Sequence, residues 1–317
     1  MKTFAILAIV GIAATAFFAM SNGPSNEAEA EFRNFLETYR VGYGTTEEYN
    51  YRLGVFAQNL ERAEELNRLN PDATFGVTQF SDRTPEEMEQ RMGLIIPSSR
   101  KFTGAYKAPR DAKSVDWSNM WKSVKDQGSC GSCWAFSATA AFESRYALHK
   151  GDKKVDSLYA EQELVDCDTQ SHGCNGGWMD FAFEYLQSHY FCTEDSYPYK
   201  AVDQTCSYSE DKCSGPEDDS YTDITEGDED ALLKELQNGP VSVAVDASAW
   251  SSYTGGVLEN CGTRLNHGVT LVAHNPSAGW AKIRNSWGNS WGEGGHIRIK
   301  TGQNTCGYAN VASYPTF

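Results

Sequence analysis

Apolar residues recur at helical spacing in two stretches near the front of the chain. Phe32, Phe35, Leu36 and Tyr39 predict a first helix, with Asn26 and Glu29 fitting its N-terminal cap and Gly42 and Gly44 ending it. A second helix is predicted from about Thr46 to Leu69, stopping before Pro71. Along it Glu48, Arg52, Phe56, Asn59 and Asn67 fall on a single stripe about 100° wide at 100° per residue. Glu48 and Arg52 also stand at i,i+4 with the favoured polarity for an ion pair. Residues 97–112, "PSSRKFTGAYKAPRDA", have little periodicity and read as an exposed linker. Helical periodicity returns over 133–146, 160–167 and 178–188. Beyond Pro240 it gives way to short β-branched runs, "VSVAV", "GVTLVA", "AKIRNSW" and "HIRIK". The pattern predicts an α+β chain: a helical prelude, then a helical half and a β half, with a cleft where ligands bind.

Composition sets the compartment and narrows the partners. Phe4 to Met20 is apolar and alanine-rich behind Lys2, and Ala14-Thr15-Ala16 offers a small-residue cleavage site, so residues 1–20 read as a secretory signal peptide. An oxidising compartment then accounts for nine cysteines, all beyond residue 100. The formal charge of −16 argues against a nucleic-acid partner, which needs a basic face. No Asn-x-Ser/Thr sequon occurs, so N-glycan-dependent sorting has no acceptor.

"CGSCWAFS", Cys130 to Ser137, places two cysteines three positions apart ahead of an alanine-rich helical run. A redox pair, half of a metal site and a nucleophile beside a structural neighbour all start this way. Zinc needs a second closely spaced Cys or His pair, and Cys167 and Cys174 do not form one. A thioredoxin-type pair needs a compact βαβ unit, which the scattered downstream cysteines do not suit. As a nucleophile, Cys133 would begin a helix whose N-terminal N–H groups and dipole favour a thiolate. It then needs a base, a group to orient that base, and an oxyanion hole. His267 in "LNHGV" starts a strand of the β half; Asn285 in "IRNSWGNSWGE" could accept its second N–H, and Trp287 could cover that bond from water.

These blocks resemble the papain family of cysteine proteases, and within it the cathepsin L group made as a proenzyme. The family signature CG[SA]C[WY] is followed here by His267 and Asn285, 134 and 152 residues downstream of Cys133. "DQGSCGSCWAFS", "GCNGGWMDFAF", "LNHGV" and "NSWGNSWGE" correspond to family blocks in order and spacing. The stripe on the second helix resembles the group's first prosegment motif, with Ala63 where isoleucine is usual. "GVTQFSD", Gly76 to Asp82, resembles the second, with Thr78 for the commoner Asn. Nearer the catalytic blocks, Asn266 stands where papain itself has Asp, and Ala273-His274 replaces a usual Gly-Tyr.

The resemblance implies a papain-like two-lobed fold, a helical lobe and a β-barrel-like lobe with the active site in the cleft, preceded by a helical inhibitory prosegment. It divides the chain into signal peptide 1–20, propeptide 21–110 and peptidase domain 111–317. Carried over by position, Cys133 is the nucleophile and His267 its imidazolium partner and later general acid. Asn285 orients the imidazole, and the Gln127 side chain with the Cys133 backbone N–H forms the oxyanion hole. Substrate would be bound by Gly176, Gly177, Trp178, Met179, Ala244, Leu265, Gly268 and Val311, an apolar set implying a hydrophobic residue at P2, the second before the cut. The resemblance pairs Cys130 with Cys174, Cys167 with Cys206 and Cys261 with Cys306, leaving Cys192 and Cys213 for a fourth bond. No metal or other cofactor is implied. The implied partners are protein and peptide substrates, the chain's own propeptide as intramolecular inhibitor and cystatin-like inhibitors; the implied state is a monomer in the secretory pathway, bound for a lysosome or digestive vacuole or secreted. Acid activation is expected through prosegment carboxylates, Asp82 among them, with cleavage in the 97–112 linker.

Overall fold

A computed structural model describes residues 24–100 and 106–317. The expected signal peptide lies outside the described residues. Helix α1, Asn26–Tyr39, is capped by Ser25, whose hydroxyl accepts from the Ala28 N–H at 3.1 Å. The cap therefore sits one residue ahead of Asn26. The helix also ends earlier than the glycines suggest, because Arg40 itself takes the left-handed conformation. Helix α2, Thr46–Leu69, covers the span read from the sequence. The two helices bury an aromatic cluster of Phe32, Phe35 and Phe56, with ring centroids 5.2–5.9 Å apart.

The α2 stripe is a row of fasteners for the chain that follows. Asn67 exchanges hydrogen bonds with the Phe75 backbone at 2.8 and 2.9 Å. Asn59 donates to the carbonyls of Ser81 and Arg83. Arg52 forms a two-pronged bond with Glu87, at 2.7 and 2.8 Å. The expected Glu48–Arg52 pair does not form: Glu48 is exposed, and a partner thirty-five residues away presents both carboxylate oxygens to the guanidinium fork. Strand β1, Ala73–Phe75, and the short helix α3, Pro85–Glu89, follow α2.

Beyond the linker, strand β2, Val115–Asp116, leads to α4, Cys133–His149, which is buried along nearly its whole length. Its alanines let neighbours approach on every side, so it reads as a core helix rather than an amphipathic one. Helices α5, Glu161–Cys167, and α6, Met179–Leu186, pack beside it in the helical half. After β3, Ser220–Asp223, and α7, Glu229–Glu235, come β4, Val241–Val245, β5, Tyr253–Leu258, β6, His267–Asn275, β7, Trp280–Arg284, β8, His296–Lys300, and β9, Ala312–Thr316. They form one sheet in the order β1-β5-β8-β7-β6-β4-β9-β3, with β2 paired to β6 and only β5–β8 parallel. The prosegment therefore supplies an edge strand to the β half. The sequence pattern misses β1, β2, β3, β5 and β9, whose residues do not make a continuous β-branched run.

The described residues of the linker are exposed or half-buried, and the chain is pinned where it approaches α7. Lys107 exchanges backbone bonds with Gly227 and Glu229, and its ammonium meets Asp228 at 2.6 Å. Tyr106 donates to buried Glu229 at 2.6 Å. Four disulfides link Cys130–Cys174, Cys167–Cys206, Cys192–Cys213 and Cys261–Cys306, and Cys133 is the one free cysteine. The Cys192–Cys213 bridge closes a 21-residue separation, and in the chain-entropy account such a loop stabilises by about 3 kcal/mol. Peptide mapping without reductant should recover Cys192 and Cys213 in one linked fragment, with a single titratable thiol in the denatured chain. Two or more thiols would refute that pairing.

Candidate active site

Cys133 is the first residue of α4 and is fully buried. Ser132 precedes it without making a side-chain cap, which leaves first-turn N–H groups free to face the sulfur. The helix is tied to the sheet just behind this point. Ser137 Oγ donates to the Val269 carbonyl at 2.6 Å, and Ser242 Oγ donates to the Ser137 carbonyl at 3.0 Å. These bonds hold the start of α4 against β6, where the Gly268 N–H meets Cys133 Sγ at 3.3 Å. Gly268 has no room to spare: a Cβ there would lie 3.1 Å from Met179 Sδ and 3.2 Å from the Trp134 Cα.

His267 opens β6, fully buried, with Nε2 2.8 Å from Asn285 Oδ1. Trp287 lies over the imidazole at a centroid distance of 5.1 Å, and Trp250 meets it edge-on at 6.3 Å. The His267–Asn285 bond is thus walled by two indoles, of which the sequence reading names only Trp287. Gln127 reaches the same place from the loop before α4. Its Oε1 accepts from Ser286 Oγ at 2.6 Å, which turns Nε2 towards the cleft. Lys125 anchors this loop through buried Glu161 at 2.8 Å and Glu194 at 3.0 Å.

The cleft is occupied by the prosegment. Gln127 Nε2 donates to the Arg91 carbonyl at 2.9 Å. Gly93 follows, its backbone so close to Gly131 that a Cβ would come within 1.7 Å of the Gly131 oxygen. Only glycine permits this approach. The Gly177 N–H donates to the Gly93 carbonyl and the Ile95 N–H to the Gly177 carbonyl, both at 2.9 Å. Leu94 and Ile96 then pack against the apolar cluster that includes Trp178, Met179, Ala244, Leu265 and Val311. Ala244 and Gly268 face each other across β4 and β6, and the Ala244 N–H bonds to the Val311 carbonyl. Gly176 takes a positive φ of 117° against Ile95. Every residue expected from the sequence is therefore gathered at one cleft. The contributions of Arg91, Gly93, Leu94, Ser286 and Trp250 are not in the sequence reading; the short apolar run "GLII" at 93–96 is the signal that marks the cleft-filling segment.

Burial reverses the electrostatics expected of an ionised pair. It pushes the Cys133 thiol up to about 11, against hydrogen bonds from the Gly268, Gly93 and Trp134 backbone that favour the thiolate. Burial likewise holds the His267 imidazole down to about 4 despite its bond to Asn285. With Nδ1 unpartnered among the described residues, cysteine and histidine sit here as neutral neighbours. Further out, Thr78 is accommodated by donating to the Ser251 carbonyl at 2.6 Å, and Ala63 is buried in the β-half core. Phe80 stands edge-on to Trp287 at 5.4 Å and carries the Arg91 guanidinium on its face at 4.7 Å.

The chain matches the papain family cysteine protease family over residues 111–316 and the cathepsin propeptide inhibitor domain over residues 32–88. It is 40% identical over 298 residues to cathepsin L 2 of Paramecium tetraurelia, spanning 90% of this chain and 91% of that one. It is 40% identical over 316 residues to vignain of Ricinus communis, spanning 91% and 87%. Its fold superposes on digestive procathepsin L2 proteinase from the Tenebrio molitor larval midgut with a TM-score of 0.82 at 36% identity, covering 92% of this chain and 100% of that one. The chain belongs to the papain family of cysteine proteases. It is a cathepsin L-like endopeptidase made as a zymogen, with its own propeptide as intramolecular inhibitor.

Two predictions come from the charges. The carboxylate held by the Arg52 fork is Glu87, and Asp82, singled out from the sequence, pairs with Arg83 at 3.4 Å and accepts from the Tyr43 hydroxyl at 2.8 Å. The Arg52 bond lowers the Glu87 pKa below its ordinary 4.5. A carboxyl depressed on folding stabilises the prosegment above its unfolded value, and the contribution fades as pH falls through the folded value. Glu87→Gln should therefore move the midpoint of zymogen processing to higher pH. Gels of processing against pH read this directly, and an unmoved midpoint would exclude the Arg52–Glu87 pair as a control on activation. For the thiol, a value near 11 leaves about one part in ten thousand as thiolate at pH 7. Iodoacetamide should alkylate Cys133 in the intact zymogen at least about a hundredfold more slowly than in the matured enzyme; equal rates would contradict the neutral state.

Proposed function

We propose that Cys133, freed of the prosegment, attacks the scissile carbonyl carbon as a thiolate paired with protonated His267. The negative charge that develops on the carbonyl oxygen is taken up by Gln127 Nε2 and the Cys133 backbone N–H. The imidazolium then gives its proton to the leaving amine, which departs and leaves a thioester on Cys133. His267 next accepts a proton from water as the water attacks the thioester, and the second product leaves as a carboxylic acid with the thiolate restored. Asn285 holds the ring through Nε2, so that Nδ1 faces the sulfur. Removing the prosegment takes its share of the burial with it, and that burial is what opposes both charges.

One observation carries this reading: a peptide carbonyl, that of Arg91, already accepts from Gln127 Nε2 at 2.9 Å while Leu94 enters the apolar pocket. In a substrate the P2 residue precedes the carbonyl that is attacked. In the prosegment Leu94 follows Arg91, so the peptide crosses the cleft in the opposite sense. This reversal supports inhibition without cleavage. The leucine in the pocket supports a hydrophobic P2 preference, with Met179, Ala244 and Val311 as walls.

The zymogen, on this reading, is activated in acid by cleavage in the 97–112 linker, leaving the 111–317 region as the working enzyme. Four disulfides support passage through an oxidising secretory compartment, and acid activation favours a lysosomal, vacuolar or secreted digestive setting. Paired fluorogenic substrates test the pocket. An unpaired guanidinium against these walls is costly, whereas leucine gains about 1.5–3 kcal/mol from burial. We expect Leu or Phe at P2 to exceed Arg in kcat/KM by at least about tenfold. Val311→Glu should raise activity towards Arg. Equal rates with Arg in the parent enzyme would place the P2 pocket elsewhere.

A further inference from the structure

Beyond Leu94 the prosegment makes another charged contact with the peptidase part. Arg100 Nη1 lies 3.2 Å from Asp180 Oδ2 and 3.3 Å from Asp223 Oδ1. Its guanidinium also stands 5.3 Å above the Trp178 ring. Asp180 is no ordinary surface acid. It is 4% exposed, its Oδ2 accepts from Trp178 Nε1 at 2.7 Å, and its Oδ1 accepts from Ser313 Oγ at 2.5 Å. Burial first, and then neighbouring Asp223, hold its pKa up. Two donors and a packed indole therefore fix one carboxylate in place, and the half-exposed Asp223 supplies a second across from it. A flat aromatic face with two carboxylates at its edge suits a guanidinium.

The occupant belongs to a segment that maturation removes. Among the described residues no other cation pairs with Asp180 or Asp223. Loss of Arg100 leaves a buried and a half-exposed carboxylate without a counter-ion, and an uncompensated buried charge is strongly unfavourable. The socket adjoins the cleft, since Trp178 follows Gly177, to which Ile95 is hydrogen-bonded. Running C-terminally from Leu94 to Arg100, the prosegment moves away from the attacked carbonyl along the path that a substrate follows N-terminally from P2.

We propose that in the mature enzyme Asp180, Asp223 and the Trp178 face form a subsite for a basic side chain of the substrate, upstream of P2. The inference rests on the assignment of Leu94's pocket to P2. The position is bounded by the prosegment itself. Arg100 is six residues from Leu94, but the Arg100 N–H bonds back to the Pro97 carbonyl at 2.9 Å, so the path includes a turn. An extended peptide at about 3.3 Å per residue covers the same span in fewer steps, which places the basic residue between P3 and P7.

The test is a set of internally quenched peptides with Leu at P2 and Gln at every position from P3 to P7, through which a single Arg is moved. At one position Arg should raise kcat/KM about five-fold over Gln, chiefly through KM. The gain should shrink at high salt and fall to a ratio near one in Asp223→Asn. A companion pair with Leu or Arg at P2 reads the pocket assignment independently. A flat scan beside an intact P2 preference overturns the subsite alone. Loss of the P2 preference overturns both. An Arg preference that persists in Asp223→Asn and ignores salt also overturns the subsite.

Discussion

The start of α4 lies against the start of β6, and the chemistry of the chain is arranged around that contact. Ser137 and Ser242 lock the helix to the strands one turn behind Cys133, and the Gly268 N–H reaches the sulfur itself. Neither element could shift by an ångström without losing buried hydrogen bonds that nothing else would replace. Because the helix comes from one half and the strand from the other, nucleophile and base meet only when the halves are packed. The remaining parts are set by the same junction: Asn285 follows β7, Gln127 precedes α4, and Ser286 joins the two by a hydrogen bond.

The prosegment uses that junction against itself. Gly93 descends onto Gly131 with no side chain on either, and the close approach brings a carbonyl to Gln127 and a leucine to the apolar pocket. It also completes the burial of the thiol and the imidazole. With both groups fully buried, desolvation outweighs the N–H groups that favour a thiolate, so both groups stay neutral. Steric occupation and suppressed ionisation are thus one physical event.

Holding the prosegment there takes fasteners far from the cleft. Arg52, Asn59 and Asn67 of the α2 stripe each bind backbone or side chain of residues 75–87, and β1 adds an edge to the sheet through β5. Phe80 bridges from this scaffold to Trp287, the indole that covers His267. The propeptide is therefore continuous with the catalytic wall through ring contacts, while its charged fastener, Arg52–Glu87, lies partly exposed away from the cleft.

Much of this was legible along the chain. Spacing placed α2 over its full span, located the strands from β4 to β8 apart from β5, and set Cys133 at a helix start with His267 at a strand start. These are local properties, fixed by periodicity and by residues near each end. Resemblance to a known family supplied the cleft-facing set. What the sequence could not give is pairing between distant segments. Arg52 has an acid at i−4 in the sequence, yet binds one thirty-five residues on, because tertiary packing presents a fork-shaped acceptor there. Likewise the sequence shows a cysteine at a helix N-terminus, where an isolated helix would favour the thiolate. Whether that thiol is charged depends on how much solvent the folded chain removes, and burial is a property of the tertiary structure alone.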